Sequence, residues 1–393
     1  MTIKELDKGN CIEILTKLVK CNTTNPPGNE ADIINVIQEL LKVDSKMLKV
    51  FSHGDNRASL IATIQGHNLE LPEISFVGHV DTVCVEDIEQ WSVDPFGAQV
   101  VDDIMYGRGT ADMKGGVTTM ILTANYIIEQ GLIPEQTINF IFTADEEIDG
   151  MGITTIVDSG ALDKTGELII PEPTDMVPAL YEKGALWLRI KSEGVAAHGS
   201  MPHKGVNAIE KTVELCEYIR SVINAEPEHA YLGKATMQIT QCSGGNQTNV
   251  IPYLCSATLD IRTLPQMNHK ALLAQIRAFA DDMQAHNQGL VLSVHVENDR
   301  AAIASDPHEV LHVKLGEICG KSNLPYLPIG VNYYTDGSQI VPKLQIPFVI
   351  IGPGKTSMAH QKDEYVSISS VIKMAEIFIS YCMNENCMNE NEA

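Results

Sequence analysis

The sequence predicts an α/β protein with a mixed, mostly parallel sheet and a smaller inserted α+β domain. Short apolar runs alternate with helical patterns in residues 1–180 and again in 300–393, which is typical of parallel strands covered by helices on both faces. In residues 181–299 the strands instead alternate apolar and polar residues, and the element order is β-α-β-β-α-β, the ferredoxin-like order. A chain of 393 residues is longer than a typical single domain, so we predict a main domain in two segments around the insertion.

Helices and buried strands alternate along the main domain. Apolar residues that recur at helical spacing predict helices over 5–19, 30–43, 115–130, 150–159, 308–320 and 367–382. Short runs rich in β-branched and aromatic residues predict buried strands over 59–64, 74–77, 137–143, 168–170 and 348–351. The segment Asn25-Pro26-Pro27-Gly28 separates the first two helices, because proline and glycine break a helix. Residues 382–393, a tandem CMNEN repeat with an acidic end, are expected to be frayed and are assigned no function.

The insertion has the pattern of a half-buried sheet. Its alternating strands are predicted over 185–192, 235–242, 254–264 and 290–297, and its helices over 207–222 and 269–283. Strands with one apolar face are covered on one side only, so we expect the other side or an edge of this sheet to be available to a partner.

The chain is strongly acidic, with 28 Lys and Arg against 51 Asp and Glu and a net charge of −23. Such a charge repels phosphate backbones and anionic bilayers, which argues against nucleic-acid and membrane-surface roles. No apolar stretch approaches the length of a membrane span, and the N-terminal MTIKELDKGNCIEIL lacks the apolar core of a signal peptide. Nine scattered cysteines without CxxC spacing are typical of reduced thiols, so we expect a cytoplasmic protein.

Three consecutive acids end the most apolar strand of the main domain. The segment TINFIFTADEE places Asp145, Glu146 and Glu147 directly after a buried strand. Carboxylates crowded at the end of a buried strand repel one another, and a divalent metal is a simple way to neutralise them. The alternative is a solvated acidic loop, since isolated acidic residues are usually exposed.

Further potential metal ligands follow other apolar strands. His79 ends one strand in GHVD, where Asp81 could accept a hydrogen bond from the second ring nitrogen. Asp112 lies in the glycine-rich YGRGTADMKGG, whose rival interpretation as a phosphate loop fails because the GxxxxGK[ST] spacing is absent. Glu172 follows a strand in PEPT, and His360 lies beyond the last strand in GPGKTSMAHQKDE. Imidazoles and carboxylates at one edge of a sheet suit zinc or a pair of hard-to-borderline metals.

Together these motifs resemble those of the M20 metallopeptidase/deacylase family. The segments GHVDTV, WSVDPF, YGRGTADMKGG, TADEE, PEPT, AAHGSMP and AHQKDE occur in the family's order across nearly the whole chain. The resemblance implies a zinc-exopeptidase-like catalytic domain, over 1–180 and 300–393, that is split by a lid and dimerisation domain over 181–299.

The resemblance also assigns roles to the clustered residues. It implies two Zn²⁺ ions, for which Co²⁺ can substitute, held by the ligands His79, Asp112, Glu147, Glu172 and His360, with Asp112 as the bridge. Asp81 would belong to the catalytic group as the partner of His79. Glu146 would be the general base, which takes a proton from the attacking water and passes it to the leaving amine.

Three candidate residues lie in the insertion. The resemblance implies that His198 reaches the partner subunit's site in a homodimer and stabilises the oxyanion. Asn249 and Arg262 match substrate-contacting positions of the lid, although Arg262 could instead pair with Asp260. In the late TDGSQI segment, which resembles a substrate loop, Ser338 stands where desuccinylases commonly have arginine.

These observations predict a zinc-dependent amidohydrolase acting on a small N-acyl amino acid, with succinyl-diaminopimelate favoured and acetylornithine next. A dipeptidase or carboxypeptidase with the same metal pair is the second enzyme hypothesis. A binding protein that has lost catalysis is the third, and the presence of every metal-ligand position and of Glu146 argues against it. A nucleotide-binding protein would use the glycine-rich loop, but the sequence has no phosphate-binding signature.

Overall fold

The computed structural model of the chain describes residues 4–383, so most of the CMNEN repeat, with Cys387, lies outside the described residues. The described chain forms two compact units. The first comprises residues 4–180, 305–329 and 335–383, and the second comprises Tyr181–Ala304 and Gly330–Tyr334. The second unit therefore extends beyond the expected 181–299, and it includes a short later return of the chain that no sequence pattern indicated.

The elements follow the predicted alternation. The helices are α1 (Lys8–Lys20), α2 (Glu30–Leu40), α3 (Gly115–Glu129), α4 (Met151–Asp158), α5 (Ala208–Ala225), α6 (His269–His286), α7 (Val310–Lys321), α8 (Gly337–Leu344) and α9 (Ile368–Cys382). The strands are β1 (Leu48–Gly54), β2 (Arg57–Ile64), β3 (Glu73–His79), β4 (Gln99–Val101), β5 (Ile104–Tyr106), β6 (Ile138–Thr143), β7 (Thr165–Ile170), β8 (Ala179–Glu182), β9 (Gly184–Glu193), β10 (Ala197–His198), β11 (Thr236–Gly244), β12 (Val250–Ile251), β13 (Leu254–Thr263), β14 (Val291–Arg300), β15 (Ile303–Ala304), β16 (Ile329–Val331), β17 (Phe348–Ile350) and β18 (Tyr365–Ser367).

Several ends differ from the sequence prediction by a few residues. Helix α1 begins at Lys8 rather than at residue 5 because the carboxylate of Asp7 accepts hydrogen bonds from the N–H groups of Gly9 and Asn10, which caps the helix there. Helix α8 and the strands β1, β4, β5, β8, β10, β12, β15, β16 and β18 had no strong pattern and were not predicted. Short or half-exposed elements carry too few apolar residues for a periodicity to stand out.

The sheet of the first unit is mixed, with a parallel centre. Its strand order is β1-β2-β6-β3-β7-β17. The four strands β6, β3, β7 and β17 run parallel, whereas β1 and β2 pair antiparallel at one edge. The predicted fold class is confirmed, and the carboxyl ends of four neighbouring strands consequently meet at one edge of the sheet.

Both faces of this sheet are covered. Every residue of β6 is buried, although successive side chains point to opposite faces. On one face Phe76 stacks on Phe140 at a centroid distance of 5.2 Å and meets the ring of Phe378 from α9 at 5.0 Å. Helices α4 and α8 contact each other and pack against strands β1, β2 and β7. Burial on both faces fixes the central strands and therefore the loops at their ends.

The second unit has the ferredoxin-like arrangement expected of the insertion. Its antiparallel sheet has the order β11-β13-β9-β14, and α5 and α6 pack on it around a common apolar core. Strand β13 alternates buried and partly exposed residues, as a sheet covered on one face requires. None of the helices within residues 4–383 combines the length and hydropathy needed to span a bilayer.

Candidate metal centre

The candidate residues of the first unit converge because they follow neighbouring parallel strands. His79 is the last residue of β3, and Glu146 and Glu147 lie in the turn after β6. Glu172 lies just beyond β7, and His360 lies in the loop that follows β17. Strands β6, β3, β7 and β17 are adjacent in this order, so their following segments share one edge of the sheet.

Two glycines allow these segments to approach closely. A Cβ atom at Gly116, at the start of α3, would lie 2.1 Å from the carbonyl oxygen of Pro171. A Cβ atom at Gly352, after β17, would lie 2.2 Å from the same oxygen. Any larger residue at either position would push away the segment that carries Glu172.

The first cluster joins His79, Asp112 and Glu172. Nε2 of His79 lies 3.0 Å from Oδ1 of Asp112 and 3.4 Å from Oε1 of Glu172. The side chains of His79 and Glu172 are 1% and 5% exposed, so this cluster is almost dehydrated. One ligand atom from each residue lies within 4.8 Å of the others, which is close enough for a shared metal ion.

The backbone of Asp81 orients the His79 ring. Nδ1 of His79 lies 3.0 Å from the carbonyl oxygen of Asp81, and the carboxylate Oδ1 of Asp81 is farther away, at 3.6 Å. Because a carbonyl oxygen only accepts, Nδ1 is the donor of this hydrogen bond. Nε2 is therefore the ring nitrogen that a metal ion would bind.

The second cluster shares Asp112 with the first. Nε2 of His360 lies 3.4 Å from Oδ2 of Asp112 and 3.2 Å from Oε2 of Glu147. The other carboxylate oxygen of Glu147, Oε1, is buried and has no hydrogen-bond partner in the described chain. The side chain of His360 is 51% exposed, so this cluster faces solvent on one side. Each cluster uses a different oxygen of Asp112, as a bridging carboxylate would.

The charge of the two clusters favours cations. Asp112, Glu147 and Glu172 bring three carboxylates together with two imidazoles. Burial and the Asp112 charge raise the pKa of both Glu147 and Glu172. Hydrogen bonds to Asp112 and Glu147 raise the pKa of His360 to about 11. The site thus attracts positive charge, and its donor set fits two divalent metal ions.

Glu146 lies beside these clusters, 6% exposed. The pKa of His79 is raised mainly by Glu172, Asp112 and Asp81, and that of Glu172 by burial and by Asp112; the Glu146 carboxylate adds a smaller contribution to both. The carboxylate of Asp81 holds the main chain of the acidic turn, since Oδ1 accepts from the N–H of Glu146 at 3.2 Å and Oδ2 from that of Glu147 at 3.3 Å. Asp81 thus connects the His79 strand to the acidic turn.

Glu364, to which the sequence assigned no role, connects two separate chain segments of the first unit. Its Oε1 accepts from the N–H groups of Ala111 (2.8 Å) and Asp112 (3.0 Å). Its Oε2 accepts from Gly109 N–H (2.9 Å) and from the guanidinium of Arg108 (2.7 Å). Burial raises the pKa of Glu364 to about 7, although Arg108 and the N–H donors act to lower it. The carboxylate therefore fixes the Asp112 loop to the segment that carries His360.

The TDGSQI segment lies at the same edge of the first unit. Thr143, the last residue of β6, donates from Oγ1 to Oδ2 of Asp336 at 2.6 Å. Ser338 follows at the start of α8 and is 4% exposed. The predicted substrate loop is thereby anchored to the strand that carries the acidic turn.

The three remaining candidates belong to the second unit. His198 is exposed, and its Nδ1 lies 2.8 Å from Oγ of Ser200. It belongs to β10, which pairs with β12, and Asn249 is the residue immediately before β12. Arg262 is paired with Asp260, with Nε 2.9 Å from Oδ1, which was the alternative open from the sequence. Both side chains of this pair are 28% exposed.

Comparison with known proteins gives a consistent result. Residues 75–384 match peptidase family M20/M25/M40. A Staphylococcus epidermidis protein named "Probable succinyl-diaminopimelate desuccinylase" is 27% identical over 96% of this chain and 97% of its own length. A Pasteurella multocida protein named "Acetylornithine deacetylase" is 30% identical over 76% of this chain and 77% of its own length.

The fold of a solved structure also matches. A Bacillus subtilis protein described as a dinuclear metal binding peptidase from the M20 family superimposes with a TM-score of 0.73. It covers 96% of this chain and 98% of its own, at 15% identity. At this identity the similarity establishes the fold alone.

Glu364→Gln should weaken metal binding. Each oxygen of the Glu364 carboxylate accepts two hydrogen bonds, and the NH₂ group of a glutamine cannot accept any. In either orientation of the amide, two donors therefore lose their acceptor, and the Asp112 loop loses part of its support. We expect divalent-metal affinity to fall about 10- to 100-fold, measured by competition with a chromogenic chelator. The control is Glu167→Gln, which alters a hydrogen bond to Tyr381 elsewhere in the unit. Equal affinities in the two variants would contradict the role of Glu364.

Proposed function

The chain belongs to peptidase family M20/M25/M40 and is a metal-dependent amidohydrolase, and we propose that it removes the succinyl group from N-succinyl-diaminopimelate. The observation that supports hydrolysis at this site is the sharing of Asp112 by two three-residue clusters, with Glu146 beside them. The name of the Staphylococcus epidermidis relative, which matches nearly end to end, supports this substrate. In this proposal the reaction yields succinate and a free amine in diaminopimelate biosynthesis.

We infer zinc as the metal, since mixed imidazole and carboxylate donors suit it. His79 and Glu172 would hold one ion, Glu147 and His360 the other, and Asp112 would bridge them. Metal ions at such a site act as Lewis acids, which polarise a carbonyl oxygen and make water more acidic. Cobalt, with similar ligand preferences, should replace zinc.

Glu146 would move the proton. Its carboxylate takes a proton from the water that attacks the amide carbon, and the same group then donates that proton to the leaving nitrogen. The hydrogen bond from its N–H to Asp81 holds the main chain in place during both transfers. Near-complete burial keeps bulk water from competing for the proton.

Acetylornithine deacetylase activity is the second candidate. The Pasteurella multocida relative carries this name, and Ser338 stands where desuccinylases commonly have an arginine. A neutral side chain at this position offers no charge to a succinyl carboxylate. Whether the substrate is succinylated or acetylated, Arg262 would have to give up its ion pair with Asp260 in order to bind a substrate carboxylate. Peptidase activity is the third candidate, since the family includes peptidases.

A substrate panel separates these candidates. We expect the zinc-loaded protein to release primary amine from N-succinyl-diaminopimelate faster than from N-acetylornithine, other N-acetyl amino acids or dipeptides. Chelation should abolish the activity, and zinc or cobalt should restore it. A preference for acetylornithine or for dipeptides would replace the proposed substrate, and activity that is indifferent to chelation would contradict the metal mechanism.

Glu146→Ala should bind metal normally and lose turnover. Removing the proton carrier should reduce kcat by about 10²- to 10⁴-fold, while zinc content measured by elemental analysis stays at the wild-type value. Glu135→Ala, at a partly exposed position before β6, serves as the control for general effects of removing a carboxylate. Wild-type turnover in the Glu146 variant would exclude it as the general base.

We further propose that the protein acts as a homodimer through the second unit, with His198 serving the partner's site. His198→Ala should then reduce kcat by about 10²- to 10³-fold, the loss typical of an oxyanion donor. Mixing this variant with Glu146→Ala subunits should restore roughly a quarter of wild-type activity, because half of the dimers would hold one complete site. If the subunits of the two variants are shown to exchange and the mixture recovers no activity, His198 does not serve the partner's site.

A further inference from the structure

The segment Asn25-Pro26-Pro27-Gly28 contributes a buried polar group to the edge of the sheet that carries the metal centre. Asn25 is 5% exposed, and its side-chain Nδ2 donates to Oδ2 of Asp81 and to Oδ1 of Asp145, both at 2.9 Å. An amide NH₂ group has two protons, so one goes to each carboxylate. Asp81 and Asp145 are themselves 0% and 3% exposed. One neutral side chain therefore separates two buried acids.

These two acids follow neighbouring strands. Asp81 lies just beyond β3 and Asp145 just beyond β6, which run parallel side by side. Two carboxylates brought together in a dehydrated environment repel each other unless donors lie between them. The described contacts give Asp145 one further side-chain donor, the guanidinium of Arg57, whose Nη2 lies 2.9 Å from Oδ1. Arg57 also donates from Nε to the fully buried Glu30 at 2.9 Å.

The main chain holds Asn25 firmly against this edge. The N–H of Asn25 donates to the carbonyl of Thr82 at 2.8 Å, and the N–H of Thr82 donates to that of Thr23 at 3.1 Å. The hydroxyl of Thr23 donates to the carbonyl of Val80 at 2.6 Å. The segment therefore runs alongside residues 80–82, and the position of the Asn25 amide is fixed by hydrogen bonds on both sides of Asp81.

We propose that Asn25 is a positioning residue of the metal centre: its side-chain amide holds the carboxylates of Asp81 and Asp145 together. Through Asp81 it fixes the N–H groups of Glu146 and Glu147, and thus the direction of both side chains. The Asn25 side chain donates to the two aspartates, and Asp81 in turn accepts from the N–H groups of the two glutamates, so the effect of Asn25 on the acidic turn passes through Asp81. The inference rests on the proposed function for the roles of the two glutamates.

Two substitutions separate this role from simple packing. Asn25→Ala removes both donors and leaves a small space. Asn25→Asp keeps the shape but replaces the donors with a third carboxylate between two others. If Asn25 positions the acids, Asn25→Asp should lower zinc affinity and kcat more than Asn25→Ala does, because it adds repulsion. If Asn25 only fills space, Asn25→Ala should lower them more.

Asn139 provides a matched control. It is 4% exposed, donates from Nδ2 to Oε2 of Glu73 at 2.6 Å and accepts from the Thr63 hydroxyl at 2.8 Å. It lies near the start of β6, whereas the acidic turn follows the end of this strand. Asn139→Ala removes comparable buried hydrogen bonds, so it should lower the melting temperature of the metal-free protein without changing zinc affinity or turnover.

The experiment compares the three variants with the wild type by zinc affinity, by kcat and KM on the preferred substrate, and by melting temperature without metal. We expect Asn25→Ala to lower zinc affinity or kcat about 10- to 100-fold with little change in KM, and Asn25→Asp to lower them further. Wild-type affinity and kcat in Asn25→Ala, or a smaller effect of the aspartate, would overturn the inference. If the aspartate variant does not fold, the comparison between Asn25→Ala and Asn139→Ala decides. Failure of the proposed function would instead appear in the wild type, as a lack of metal binding or of hydrolysis.

Discussion

Repulsion among carboxylates at one dehydrated edge of a sheet is the constraint to which the rest of the first unit responds. Asp112 lies within reach of one cation together with Glu172 and of a second cation together with Glu147, and Asp81 and Asp145 are two further acids buried at this edge. Each acid is stabilised by donors that other parts of the chain supply, or by the imidazoles. Because so many acids lie together, the site attracts divalent metal strongly. When the metal is absent, the repulsion among these acids lowers the free energy of unfolding.

The sequence revealed the acids and histidines but not the groups that hold them. His79, Glu147 and Glu172 were recognisable because each follows an apolar run, and the end of a parallel strand is where sites form. Asn25 and Glu364 carry no such signal, since an asparagine before prolines and a glutamate in a polar loop are both common in solvated turns. Their roles depend on contacts with residues far away in the chain, which periodicity does not report.

The same distinction applies to the fold. The parallel centre of the main sheet and the ferredoxin-like order of the second unit were predicted, because buried and half-buried strands differ in their pattern of apolar residues. The antiparallel edge strand β1 was missed, since all its side chains are exposed or partly exposed. The return of Gly330–Tyr334 to the second unit was also missed, because a short irregular segment has no periodicity.

The bond between Arg108 and Glu364 has a consequence for how the protein is made. The two residues are 256 positions apart, and the whole second unit is translated between them. The Asp112 loop therefore emerges from the ribosome long before the carboxylate that organises it. Closing so long a loop is slow, and for most of its synthesis the nascent chain holds the Asp112 loop without the carboxylate that anchors it.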